Sequence, residues 1–71
     1  METCKLSDFM KSITPWLDGE YILNAYIDER GHFVVRFRDG VKNVYHIEDC
    51  EAAQLRTVLE DLKNRGVPVD L

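Results

Sequence analysis

Two three-residue spacers that end in glycine constrain this chain more than any other feature. Glu29-Arg30-Gly31 and Arg38-Asp39-Gly40 separate three stretches rich in strand formers, about residues 20–28, 32–38 and 41–47. A spacer of this kind matches a type I turn followed by a left-handed residue in a bulge. Glycine takes that left-handed conformation at the least cost. Each spacer therefore predicts a hairpin with a defined register. Tyr26 falls opposite Val34, and Val34 opposite Val44. Asn24, Arg36 and Lys42 form the neighbouring row, and Asp28, His32 and His46 the row beyond.

In both hairpins the odd-numbered residues share a face. That face reads Tyr21, Leu23, Ala25 and Ile27, then Phe33, Val35 and Phe37, then Val41, Asn43, Tyr45 and Ile47. It is apolar except at Asn43. A slip of one residue would send every side chain to the opposite face, so the agreement of two independent loops supports the register.

Amphipathic helices flank the strands. Leu6, Phe9, Met10, Ile13, Trp16 and Leu17 follow the i, i+3, i+4 spacing of a buried helical stripe. This predicts a helix over about 4–14, with Thr3 or Ser7 as its cap. Pro15 ends it or opens a short final turn, and Asp18-Gly19 is a break. Ala52, Leu55, Val58, Leu59 and Leu62 form a second stripe, for a helix over about 50–65. Glu48-Asp49 suits its positive end and Gly66 its stop. Residues 66–71, with Pro68, read as an irregular tail. The expected fold is α+β: a two-layer αβββα domain over 1–71, a three-stranded antiparallel meander with both helices on one face.

A chain of 71 residues buries only about 60% of its unfolded surface. Two cysteines, Cys4 and Cys50, are too few for a disulfide framework and fit a reducing compartment. No run approaches the ~20 apolar residues of a membrane span, and residues 1–5 carry no apolar run of signal-peptide length. The expectation is a cytoplasmic protein without a membrane role. Cys50 stands near a helix N-terminus, a position that lowers a thiol pKa, although a buried small hydrophobe is the commoner role. No phosphate loop, nucleophile elbow or paired catalytic carboxylate motif is present. The chain reads as non-enzymatic, and no cofactor is implied.

The even-numbered face carries the functional expectation. Ile22, Tyr26, Val34 and Val44 make an apolar bar, with Arg36 and Lys42 beside it. An apolar patch edged by charge marks a contact site. The first reading is therefore an interaction module that binds a protein partner through this face, or a second copy in a homodimer. Charge supports a second reading. Arg30, Arg36, Arg38 and Lys42 face only Asp39 between residues 30 and 46, in a chain of net charge −4. With Tyr26, the cations Arg36, Arg38 and Lys42 form a candidate nucleic-acid surface. A third reading takes Asp28, His32 and His46 as ligands for a divalent metal such as zinc.

Two resemblances of layout bear on the second reading. The αβββα order and the length resemble a double-stranded-RNA-binding domain. That implies a basic cluster at the start of the last helix, where this chain has Asp49 and Glu51 and no cation between 49 and 54. Phosphate contacts there would become repulsions. Residues 21–62 are similar in layout to the arm-type DNA-binding domains of tyrosine recombinases, which read DNA with the sheet. That likeness implies Arg36, Arg38 and Lys42 as the contacting residues.

Overall fold

The computed structural model describes residues 1–17 and 19–70. Asp18 of the predicted break and the terminal Leu71 lie outside the described residues. The elements are β1 (Glu2–Cys4), α1 (Leu6–Ile13), a 3-10 turn (Thr14–Trp16), β2 (Ile22–Ile27), β3 (Phe33–Phe37), β4 (Lys42–Ile47), α2 (Ala52–Asn64) and β5 (Val69–Asp70). Together they make a small α+β domain with two helices and a five-stranded mixed sheet of order β1-β4-β3-β2-β5.

The three expected strands form the centre of that sheet. β2, β3 and β4 pair antiparallel, with Tyr26 opposite Val34, Val34 opposite Val44, and Arg36 opposite both Asn24 and Lys42. Both spacers close as their glycines require. Gly31 and Gly40 have φ of 80° and 94°. The Gly31 amide donates to the Asp28 carbonyl at 3.0 Å, and the Gly40 amide to the Phe37 carbonyl at 3.1 Å.

The sheet departs from the expected three-stranded meander at both edges. β1 runs parallel to β4, and β5 parallel to β2. A strand edge left open carries unpaired N–H and C=O groups, and these short pieces take them up. The Ala25 amide donates to the Pro68 carbonyl at 3.0 Å, and the Glu48 amide to the Cys4 carbonyl at 2.9 Å. Part of the expected irregular tail is therefore a strand, and Thr3 and Cys4 are strand residues instead of the helix start. Pieces of two or three residues are too short to show a period in sequence.

The expected caps are reassigned as a result. Neither Thr3 nor Ser7 caps α1, whose N-cap is Lys5. The Leu6 amide donates instead to the Asp49 carboxylate at 2.8 Å, across 43 positions of sequence. Parallel pairing of β1 with β4 brings the two together, and a carboxylate suits the positive helix end. For α2 the cap is Glu51, in a reciprocal capping box with Gln54. Gly66, at φ 93°, ends that helix as expected, and Val67 folds back into the core.

Both helices pack into a single buried cluster. Phe9 and Ile13 of α1 and Leu55, Leu59 and Leu62 of α2 meet Ala25, Phe33, Val35, Tyr45 and Ile47 of the sheet. Phe9 sits at the centre, its ring 4.9 Å from those of Phe33 and Tyr45. Trp16, expected in the helical stripe, stands half-exposed on the 3-10 turn, because Pro15 ends the α-helical ladder before it.

One strand face assignment changes. β2 shifts register between Ile22 and Asn24, with Ile22 opposite Phe37 and Asn24 opposite Arg36. Leu23 is the extra residue of a bulge. Ile22, expected on the even, partner-binding face, is fully buried in the core, while Tyr21 and Leu23 are exposed. Tyr21-Ile22-Leu23 contains no polar residue, so alternation does not mark which side faces water. Val41 is also exposed, because β4 begins only at Lys42. Ile22→Ala is expected to cost about 2–5 kcal/mol, and Leu23→Ala under about 1 kcal/mol, by urea unfolding midpoints. The reverse ranking would place Leu23 inside and remove the bulge.

Candidate functional site on the helix-free face of the sheet

The register carries the even-numbered residues to the side away from the helices. Val34 lies on the central strand, β3, and is 1% exposed. It lies outside the helix-covered cluster, so its cover comes from its own face. Tyr26 and Val44, its cross-strand partners, are half-buried. The apolar bar therefore exists as expected across three strands, without Ile22. It is narrower and better shielded than the sequence suggests.

Arg36 and Lys42 are direct cross-strand partners, and both are exposed. Among the described residues neither has a carboxylate at ion-pair distance. Arg38 does not join them. It sits in the loop after β3, where its Nε donates to the Gly19 carbonyl at 2.7 Å. On the other flank, the Asn24 side-chain amide donates to the Asp70 carboxylate at 2.5 Å. The Asn24 Oδ1 is buried and has no hydrogen-bond partner among the described residues. Asp70 pairs with Tyr26 through β5. This acidic neighbour was not legible in the sequence, because it depends on the tail adding a strand.

Asp28, His32 and His46 come together at the far end of the same face. The imidazoles of His32 and His46 lie edge to face, with centroids 5.6 Å apart. His32 Nδ1 lies 3.8 Å from Asp28 Oδ2. The other carboxylate oxygen accepts the amides of Arg30 and His32, each at 2.9 Å. Asp28 thus closes its own hairpin loop. The His32 amide does most to hold its pKa below the ordinary carboxylate value, against the opposing effect of burial, with the Arg30 amide and the nearby His32 and Arg30 charges adding to it. Among the described residues no group of three or more His, Cys, Asp or Glu side chains is disposed to hold a metal ion.

The cysteines do not form an activated thiol. Burial pushes the Cys50 thiol pKa up, and the Asp49 carboxylate adds to the effect. Cys4 is raised for the same first reason, with Glu2, Asp8, Asp49 and Glu48 adding to it. Cys50 belongs to the start of the α2 segment, but Glu51 caps that helix, and Cys50 packs against the core as a small apolar group.

Comparison with protein-family models, with curated proteins and with solved structures finds no significant match to this chain.

The Asp28 geometry sets a pH dependence. Its folded pKa lies below the unfolded one, so its contribution is present above about pH 4. It is lost as pH falls from there through the lowered folded value. Asp28→Asn keeps an acceptor for both loop amides and removes the charge. The stability gap between wild type and this variant is expected to be open at neutral pH and to close as pH falls below the lowered folded pKa, read from urea midpoints. A gap independent of pH would assign Asp28 a purely steric role.

Proposed function

We propose that this chain is a small, non-enzymatic interaction module that binds a protein through the helix-free face of its sheet. The supporting observation is the continuous row Tyr26, Val34 and Val44 across the three central strands. Neither helix covers it, and the exposed pair Arg36 and Lys42 edges it. The half-buried Tyr26 and Val44, seated over the buried Val34, provide an apolar centre and the cations a polar rim, the usual arrangement of a contact surface. Size supports the same reading. The chain exposes 4640 Å², and a standard interface takes about 800 Å² from each partner. A domain with so small a core gains stability from covering such a face. A second copy of the chain is the simplest occupant, because a two-fold axis lets one patch serve both sides.

A second reading rests on one specific observation. Arg36 and Lys42 stand side by side, with Tyr26 on the adjacent row. Two cations beside an aromatic ring suit the backbone and a base of a nucleic acid. The acidic balance of the rest of the chain weighs against it.

Sedimentation velocity over a concentration series separates these readings. The wild type is expected to form a reversible dimer, and Val44→Asp to remain monomeric with an unchanged circular dichroism spectrum. Val44 is the better site than Val34, because a charge at Val34 would be buried outright and would test folding instead. A dimer that survives Val44→Asp would place the interface elsewhere. Binding to short oligonucleotides at low salt, falling steeply as salt rises and lost in Arg36→Glu, would favour the second reading.

A further inference from the structure

A different corner of the molecule carries its own binding chemistry. Trp16, Tyr21 and Val41 are 48%, 47% and 48% exposed, well above what large apolar side chains in a small core require. They gather at the end of the sheet remote from His32 and His46. The Trp16 ring stands perpendicular to Tyr21, with centroids 5.5 Å apart and an interplanar angle of 88°. It also stands nearly perpendicular to Phe37, at 6.4 Å and 83°. Two shallow clefts share this corner. One, of about 250 Å³, is lined by Trp16, Phe37, Asp39, Val41 and Asn43. The other, of about 160 Å³, is lined by Trp16, Glu20, Tyr21, Phe37 and Asp39. Trp16, Phe37 and Asp39 border both.

We propose that this corner binds the cationic side chain of a partner polypeptide, an arginine or a lysine, between its aromatic rings and the Asp39 carboxylate. The faces of Trp, Tyr and Phe rings attract a cation within about 6 Å of the ring centroid, and Trp does so best. Trp16 and Phe37 line both clefts, so a cation in either meets two aromatic side chains. A carboxylate at the rim supplies the opposite charge and a hydrogen-bond acceptor. A purely apolar ligand would gain nothing from Asp39, which lines both clefts, so the mixed lining selects for charge.

The corner is also pre-organised. The Arg38 amide donates to the Tyr21 carbonyl at 2.9 Å, and Arg38 Nε to the Gly19 carbonyl at 2.7 Å. These bonds tie the β3–β4 loop to the segment that presents Tyr21. Asp39 Oδ1 accepts the Val41 amide at 3.1 Å, which fixes the carboxylate in its loop. Arg38 is held by Gly19 and lines neither cleft, so the chain does not fill the corner with its own arginine. The site uses no residue of the helix-free face and does not rest on the function proposed above.

Trp16 is the only tryptophan, so its emission reports on the corner directly. The probes are a short peptide with a central arginine, its lysine analogue, and its citrulline analogue, which keeps the shape and loses the charge. Arginine and lysine peptides are expected to change the emission saturably. The citrulline peptide should bind about tenfold more weakly or worse, and added salt should weaken the charged peptides alone. Asp39→Asn, which keeps the acceptor for the Val41 amide, should lower affinity several-fold without altering the circular dichroism spectrum. Trp16→Phe, followed by anisotropy of a labelled arginine peptide, should also weaken binding. Equal response to citrulline, no saturable response to any peptide, or unchanged affinity in Asp39→Asn would overturn the proposal.

Discussion

The left-handed turns at Gly31 and Gly40 set the alignment of β2, β3 and β4, and most of the structure follows from that alignment. Each turn lets three residues reverse the chain, and each then puts Phe33, Val35, Tyr45 and Ile47 on one side. Those side chains form the surface on which Phe9 settles, with its ring against both Phe33 and Tyr45. The turns are stabilised locally as well. The Asp28 and Asp39 carboxylates take loop amides in their own hairpins. Local turn chemistry and long-range packing therefore specify the same register, the kind of agreement that yields one folded state.

The edges of the sheet tie the remaining segments to that centre. β1 pairs beside β4 and thereby delivers the first amide of α1 to Asp49. β5 pairs beside β2 and carries Val67 and Val69 into contact with the core. Each edge piece is short, yet each satisfies backbone groups of a central strand that would otherwise face solvent. In a chain with so little apolar surface to bury, these closures matter more than their length suggests.

A single irregularity separates the two surfaces proposed to bind partners. The bulge at Leu23 turns Ile22 into the core and leaves Tyr21 outside, against Trp16. Without it, Ile22 would extend the apolar row of the helix-free face, and Tyr21 would be buried. The bulge thus narrows one surface to Tyr26, Val34 and Val44, and it completes the aromatic corner at the end of the sheet.

The sequence by itself determined the two hairpins, the pairing of Tyr26 with Val34 and Val34 with Val44, and most of the inward stripes of both helices, from which Trp16 and Ala52 stand out exposed. These follow from short-range rules: glycine in a left-handed turn, a period of two in strands, and a period near 3.6 in helices. It also placed Tyr26, Val34 and Val44 on the face with Arg36 and Lys42, but it put Ile22 there as well, and Ile22 lies in the core. Tertiary structure decided the rest. β1 and β5 carry too few residues to show a period, and they exist because open strand edges recruit them. The capping of α1 by Asp49 depends on a contact across 43 positions, which no local pattern encodes. The inward turn of Ile22 was undecided in sequence because Tyr21, Ile22 and Leu23 are all apolar. In the fold Ile22 joins Phe9 in the core, and Tyr21 stands outside against Trp16.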